Sequence, residues 1–556
     1  MLSSRFLKAG AQHGKLYKKT EPFFVWLTKL YKGSLDSFMN RRWMALVVMG
    51  ASVILIVILG SLINRELAPL EDRSRVRMFA SAPEGATFEY MDNYMDRLIA
   101  LVKEVIPESE REGIISVTSP GFGASSSVNS GFSFVILVDP DKRDRTQNEI
   151  ANALSAAVRQ LPGARTFVSQ QQSIGTRGGG LPVQYVIQAP NFERLREALP
   201  RFSEDAQQQP EFQYVDVNLK FNKPELRVDI NRAKARTLGV STRDIAQTLQ
   251  LAFSGQRFDY YIMDNEQYQV IGQVDREDRN EPLDLRKVFV RNDRGAMIQL
   301  DNLVNLSEQS SPPQRYRFNR FVSATVSAAL NDGYTIEDGI VAMDRVAANI
   351  LDDSFSTSLD GASRDFVESS SNLVFAFLLA LLLVYLALSA QFESFRDPLV
   401  IMFTVPLALT GALFSLWYFN QTLNIFSQIG IIMLIGLVTK NAILIVEFAN
   451  QRKAKGFAFE DAISGAAVAR FRPILMTSFT TVFGYMPIAL AIGAGSQSRA
   501  SMGIVVIGGL IFATILTLYI IPVMYSYLSS KDKAVSNVTV EGAAITRKTE
   551  ELVESE

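Results

Sequence analysis

The residue of this sequence best placed to do chemistry is a lysine in the middle of an apolar run. Lys440 is flanked by Ile431 to Val438 on one side and by Ala442 to Val446 on the other. A buried ammonium is costly unless it is paired or hydrated, so Lys440 reads as a bundle-facing group on an ion or proton path. The other reading is a lysine that snorkels to the membrane surface. Against it, the charged end of the run lies about ten residues away, or ~15 Å at 1.5 Å per residue. Asn441 adds a polar group beside it as a further member of a proton relay, and Glu447 follows two turns along the same face. Glu447 is close enough to the end of the run to read as structural or interfacial, with a part in the relay as the other reading. Arg470 and Thr477 repeat the seven-residue spacing at the entrance of the next apolar run. An arginine there is an anchor, or, beside an intramembrane lysine, a group that tunes a nearby carboxylate. That carboxylate is missing: the apolar runs hold no aspartate, and Glu447 is their one glutamate. A proton carrier has to gain and lose a proton, which in a membrane normally means a carboxylate. The carrier is therefore expected on another polypeptide segment.

Other chemistries are closed. Cysteine is absent and His13 is the single histidine, so disulfides, thiolate or histidine-rich metal sites and catalytic triads are not available. Gly14-Lys15 is followed by Leu16 and lacks the upstream glycine of a phosphate loop. No catalytic constellation appears, so an enzyme is not expected, nor is a cofactor or a nucleic-acid partner. Uphill transport would draw on an ion gradient or on another chain.

The elements that position these residues are membrane spans. Of the 556 residues 48% are hydrophobic, gathered in uncharged runs of the roughly 20 residues that cross ~30 Å of hydrocarbon. Six spans are expected: Trp43 to Ile63, Ser369 to Phe392, two between Pro398 and Thr439 split at 420–424, Pro473 to Ser498, and Ser501 to Ser530. Basic residues dominate 1–42 and 448–472, which places both segments and both termini in the cytoplasm and residues 64–370 outside. Phe23, Phe24, Trp26, Leu27, Leu30 and Tyr31 cluster beside Lys29 and Lys32. They read as a helix on the inner membrane surface, or as one packed on the bundle.

The outer segment repeats itself. Residues 75–170 alternate as β-α-β-β-α-β, a split βαβ or ferredoxin-like unit. After the linker 175–180 the order restarts at Val183 and finishes only with Phe321 to Ala328, Thr335 to Ile350 and Phe355 to Leu359. Residues 224–315 look inserted, as a protruding subdomain that contacts neighbours or as a plain surface insertion.

The run Gly436-Leu437-Val438-Thr439-Lys440-Asn441-Ala442-Ile443-Leu444-Ile445-Val446-Glu447-Phe448-Ala449, followed by Arg470-Phe471-Arg472-Pro473-Ile474-Leu475-Met476-Thr477-Ser478, resembles a known pair of spans. They are the fourth and fifth spans of the second half of hydrophobe/amphiphile efflux pumps of the resistance-nodulation-division (RND) superfamily. The resemblance extends over about residues 1–530. It implies an inner-membrane permease, the C-terminal half of a proton-antiport multidrug pump of twelve spans. It further implies trimers joined to a periplasmic adaptor and an outer-membrane channel, and export of amphipathic small molecules driven by the proton gradient. Paired aspartates in the missing first half would interact with Lys440, with Arg470 and Thr477 at the matching relay positions. Gly121, Phe122 and Gly123 would line the drug path. Ala124 stands where some members carry a second aromatic, a departure that leaves substrate range open.

On this reading residues 1–42 are an interfacial linker helix, 43–63 a span, and 64–172 the first porter unit. The second porter unit is 181–223 with 316–362, around a docking insert at 224–315. Residues 369–530 are five spans, and 531–556 form a disordered cytoplasmic tail. The chain reads as a truncation or a split subunit. Alternatives are metal export, an accessory in protein secretion or lipid handling, and a non-functional fragment of a longer gene.

Overall fold

The computed structural model describes residues 15–120, 128–170, 174, 180–279, 281–312, 314–331, 333–492 and 496–529. Helix α1 (Lys15–Asn40) leads into α2 (Trp43–Leu62). Along α1, Tyr31, Leu35 and Met39 recur every four residues and are buried in the bundle core, while Phe23, Trp26 and Leu30 stay exposed. Tyr31 stacks on Phe471 at 4.4 Å between ring centroids and donates its hydroxyl to the Leu518 carbonyl at 2.7 Å. The aromatic cluster is thus divided between the bundle and an open outer face.

The first outer unit contains β1 (Arg75–Ser81), α3 (Phe88–Val105), β2 (Arg111–Thr118), β3 (Ser130–Leu137), α4 (Gln147–Val158) and β4 (Arg165–Ser169). Its antiparallel sheet has the order β2-β3-β1-β4. Val76, Met78 and Ala80 alternate inward along β1. They meet Met91, Tyr94, Met95, Leu98 and Val102 of α3 and Ile150, Leu154 and Val158 of α4. The Thr87 hydroxyl caps α3, and Thr146 with Glu149 forms a capping box on α4.

The second unit opens with β5 (Val183–Ala189), α5 (Phe192–Gln207) and β6 (Phe212–Val217). The chain then departs into β7 (Lys223–Ile230), α6 (Arg232–Thr237), α7 (Thr242–Phe253), β8 (Gln256–Met263), β9 (Glu266–Gly272), β10 (Phe289–Arg291), β11 (Met297–Gln299) and β12 (Val304–Ser311). It returns as β13 (Tyr316–Phe318), β14 (Phe321–Leu330), α8 (Ile336–Ile350) and β15 (Ser356–Leu359). The sheet runs β6-β14-β5-β15, with β13 also on β14. Its first, second, third and fourth core strands therefore lie in the same order as those of the first unit. The excursion leaves and re-enters through the antiparallel ribbon β7–β12 and has its own small core of Ala235, Ile245, Leu285, Val290, Leu300 and Leu303.

The bundle is completed by α9 (Gly361–Phe392), α10 (Arg396–Met402), α11 (Thr404–Tyr418), α12 (Ile425–Ala454), α13 (Phe459–Ala489) and α14 (Gln497–Leu528). Among the described residues five stretches are long and apolar enough to cross a membrane: α2, α9, Arg396–Tyr418, α12 and α14. The chain is therefore a multi-pass membrane protein with a large mixed α+β domain outside the bundle. The fifth expected run, Pro473 to Ser498, begins in α13, which carries Arg470, Arg472 and a middle rich in threonine and serine, and which is not in that set. Helix α9 begins at Gly361, well before the apolar run at Ser369. Hydropathy marks the hydrocarbon-facing part only, and the polar extension docks on the second unit. There the buried Ser363 hydroxyl accepts from the Gln184 N–H at 3.0 Å and donates to the Pro182 carbonyl at 3.1 Å. The expected break at 420–424 is a turn in which Asn424 and Ser427 form the capping box that starts α12.

Candidate functional site

Helix α12 places Lys440. Val438, Asn441, Ala442 and Ile445 are buried, whereas Met433, Gly436, Lys440, Glu447 and Gln451 are exposed. Spacings of three, four and seven put the exposed set on one face of the helix. Among the described residues Lys440 has no ion-pair or hydrogen-bond partner, while Glu447 accepts from Gln451 Nε2 at 3.0 Å. An ammonium left against lipid at mid-membrane costs ~2.5–3.5 kcal/mol.

Asn441 points the other way. Its Nδ2 lies 3.4 Å from both Ser478 Oγ of α13 and Thr514 Oγ1 of α14, and these two hydroxyls are 3.0 Å apart. The structure therefore joins Asn441 to an interior polar cluster and leaves Lys440 outside it. One residue step turns a helix by about 100°, which makes sequence neighbours poor partners. Arg470 is half-buried, its guanidinium 4.5 Å from the Phe448 ring. Its Nε is enclosed without a hydrogen-bond partner among the described residues. Thr477, half-buried two turns further along the same helix face, donates to the Ile474 carbonyl of its own helix at 3.1 Å. Gly121, Phe122 and Gly123 lie outside the described residues.

Two features escaped sequence reasoning. The first is a cleft of about 340 Å³ between the outer units. Arg77, Phe79 and Asn152 line it from the first unit, Gln213 and Tyr334 from the second, and Glu66 at its bundle end. Such a cleft arises where two sheets approach, and no local pattern encodes it. The second is Asp397, 2% exposed at the start of α10. It accepts from Asn450 Nδ2 at 3.1 Å and Ser529 Oγ at 3.3 Å, and Asn450 in turn accepts from the Tyr525 hydroxyl at 2.6 Å. Its position just before the uncharged stretch at Pro398 was the available signal. Among the described residues no group of three or more His, Cys, Asp or Glu side chains could hold a metal ion.

Comparison with known proteins agrees with a transport role. An uncharacterized transporter of Haemophilus influenzae is 31% identical over 541 residues, covering 96% of this chain and 52% of that protein. Multidrug resistance protein MdtC of Photorhabdus laumondii is 29% identical, covering 94% of this chain and 50% of that protein. MdtC of Escherichia coli is also 29% identical, covering 90% and 49%. The chain thus spans about half the length of these curated relatives. The model of the AcrB/AcrD/AcrF family matches residues 1–529, and the chain belongs to that family of RND membrane transporters.

Proposed function

We propose that this chain is the C-terminal half of an RND efflux permease of the inner membrane, exporting amphipathic compounds by proton antiport together with a first half. The observation that carries this reading is Lys440 on the open face of α12, without an ion-pair or hydrogen-bond partner among the described residues. Paired aspartates of the first half would dock on that face, and their proton occupancy would decide whether Lys440 is held. Arg470 and Thr477 stand on the adjacent helix as relay positions, and Asn441 holds the interior side of α12 in register with α13 and α14. Helix α13 acts as the fifth span and α14 as the sixth. The two outer units are ferredoxin-like porter units, supported by their shared strand order. Substrate takes the inter-unit cleft, which lies outside the bundle, with Gly121, Phe122 and Gly123 as further residues of its path. The excursion 224–315 is the docking insert, facing the neighbouring subunits of a trimer, an adaptor and an outer-membrane channel. Both termini lie in the cytoplasm and the outer domain in the periplasm.

The test is efflux of a fluorescent amphiphile from cells lacking related pumps. This chain alone is expected to give none, and co-expression with a first half bearing the aspartate pair restores it. Lys440→Ala abolishes the restored efflux with unchanged membrane insertion. Efflux from this chain alone, or normal efflux from Lys440→Ala, would overturn the reading.

A further inference from the structure

Glu66 sits where three parts of the molecule meet. The segment leaving α2 lies against the α11–α12 turn: Leu423 N–H bonds the Asn64 carbonyl at 2.9 Å, Glu66 N–H the Leu423 carbonyl at 3.2 Å, and Ile425 N–H the Leu67 carbonyl at 3.2 Å. Leu67, 1% exposed, is clamped between Ile336 of α8 and Phe366 of α9. With the backbone pinned, the Glu66 side chain is half-buried and lines the inter-unit cleft, the one carboxylate among its described lining residues. The Thr422 hydroxyl donates to Glu66 Oε1. Thr422 Oγ1 also accepts from Asn424 Nδ2 at 3.2 Å, and Asn424 caps α12 while accepting from Ser501 Oγ of α14 at 3.1 Å. An unbroken set of hydrogen bonds thus runs from the cleft wall to the helix that carries Lys440.

We propose that Glu66 is a positioning residue that reports cleft occupancy to the bundle: a neutral amphiphile in the cleft excludes water, the carboxylate takes a proton from solvent, and its tie to Thr422 slackens. This rests on the reading that the cleft takes amphiphiles. An ionised carboxylate is the stronger acceptor, so protonation weakens the Thr422 bond and frees the turn that caps α12. The charged groups around Glu66 are Arg65 on its own segment, Glu337 of α8, ion-paired to Arg65 at 3.4 Å, and Arg77 of β1 on the cleft wall. The α11–α12 turn supplies only the neutral Thr422 and Asn424. Burial already lifts the Glu66 carboxyl above the usual carboxylate range, with the Thr422 hydrogen bond working the other way. Further drying by ligand lifts it again, so binding takes up a proton and tightens as pH falls. One linked proton sets a ceiling of about tenfold in Kd per pH unit, between the free and bound pKa values.

The experiment measures binding of N-phenyl-1-naphthylamine to this chain in lipid nanodiscs from pH 5 to pH 8. Ser155→Trp, which fills the cleft from α4, supplies the lipid-partition background. Wild type is expected to weaken by up to tenfold per pH unit upward, Glu66→Asp to keep that slope, and Glu337→Gln to leave it intact. Glu66→Gln should bind with the tight, low-pH affinity at every pH. Thr422→Val removes the opposing hydrogen bond and should move the window to higher pH, so a Glu66 variant that fails to fold leaves the test standing. A wild-type slope retained in Glu66→Gln, or a Thr422→Val profile superimposed on wild type, overturns the proposal while cleft binding stands. Equal signals from wild type and Ser155→Trp would overturn cleft binding itself, and the proposal with it.

Discussion

Gly503→Ala tests the packing that holds α14 to α13 at the outer end of the bundle. A Cβ built on Gly503 would lie 2.5 Å from the backbone nitrogen of Ala489 and 2.8 Å from its Cα. Ordinary contact begins at 3.4 Å, so the two helices must open by about 1 Å. No side-chain rotation relieves the overlap, because the obstructing atoms are main chain. That places the cost in the upper part of the overpacking range, about 2–3 kcal/mol. Alanine's better helix propensity offsets about 1 kcal/mol, leaving a net loss of about 1–2 kcal/mol. Gly50 in α2 is the control, since a Cβ there meets nothing within 4 Å, and Gly50→Ala should be neutral or slightly stabilising. The chain's three tryptophans, Trp26, Trp43 and Trp417, all lie on bundle helices, so their fluorescence during SDS unfolding follows the bundle and not the outer domain. Gly503→Ala should unfold at lower SDS than wild type and Gly50→Ala should not. Ala489→Gly should fail to rescue, because it removes none of the obstructing main-chain atoms. A Gly503→Ala bundle as stable as the control, or full rescue by Ala489→Gly, would refute the backbone-contact argument.

Two further outcomes follow from named contacts. Tyr31→Phe keeps the ring stacked on Phe471 but loses the hydrogen bond to the Leu518 carbonyl, and should cost about 1 kcal/mol in the same SDS titration. Tyr31→Ala also loses the stack and should cost about 3–5 kcal/mol. In the first outer unit, hydrogen bonds from Arg145 hold the 7%-exposed Glu110 below the usual carboxylate range, and the same pair lifts Arg145. A carboxyl with a depressed folded-state pKa stabilises fully above its unfolded value of about 4.3. That contribution is lost as pH falls through the lower, folded value. Hydrogen exchange of β2 and β3, corrected for intrinsic pH dependence, should accelerate in that acid window for wild type. Glu110→Gln should exchange faster already at neutral pH and show a smaller acid response, and an unchanged acid response would count against the pair.

What the sequence made legible was whatever repeats locally. The alternation of Val76, Met78 and Ala80 and the helical spacing of Met91, Met95, Leu98 and Val102 record burial within single elements. They sufficed for the order of strands and helices in both outer units. Lys440 was legible for a related reason, since a charge is conspicuous against a uniform apolar background. The direction of a side chain was harder to read. Asn441 and Lys440 look like one polar site in the sequence, yet helix geometry turns one into the Ser478–Thr514 cluster and leaves the other on the open face. Contacts between distant segments left no local trace: Glu66 and Thr422 are 356 residues apart, and nothing periodic in either segment announces the other. What such pairs do leave is a polar residue at the end of an apolar run, as Glu66 is after α2 and Asp397 is at the start of α10. In a membrane protein these run ends are where hydrocarbon stops dictating composition, so a carboxylate kept there and then buried has to be held by its partners. Both of these are: Asp397 by Asn450 and Ser529 on the α10 side, and Glu66 by Thr422 at the cleft. The ends of the spans, more than their centres, are therefore where this fold is tied together: Glu66 joins the cleft to the α11–α12 turn, and Asp397 joins α10 to the ends of α12 and α14 within the bundle.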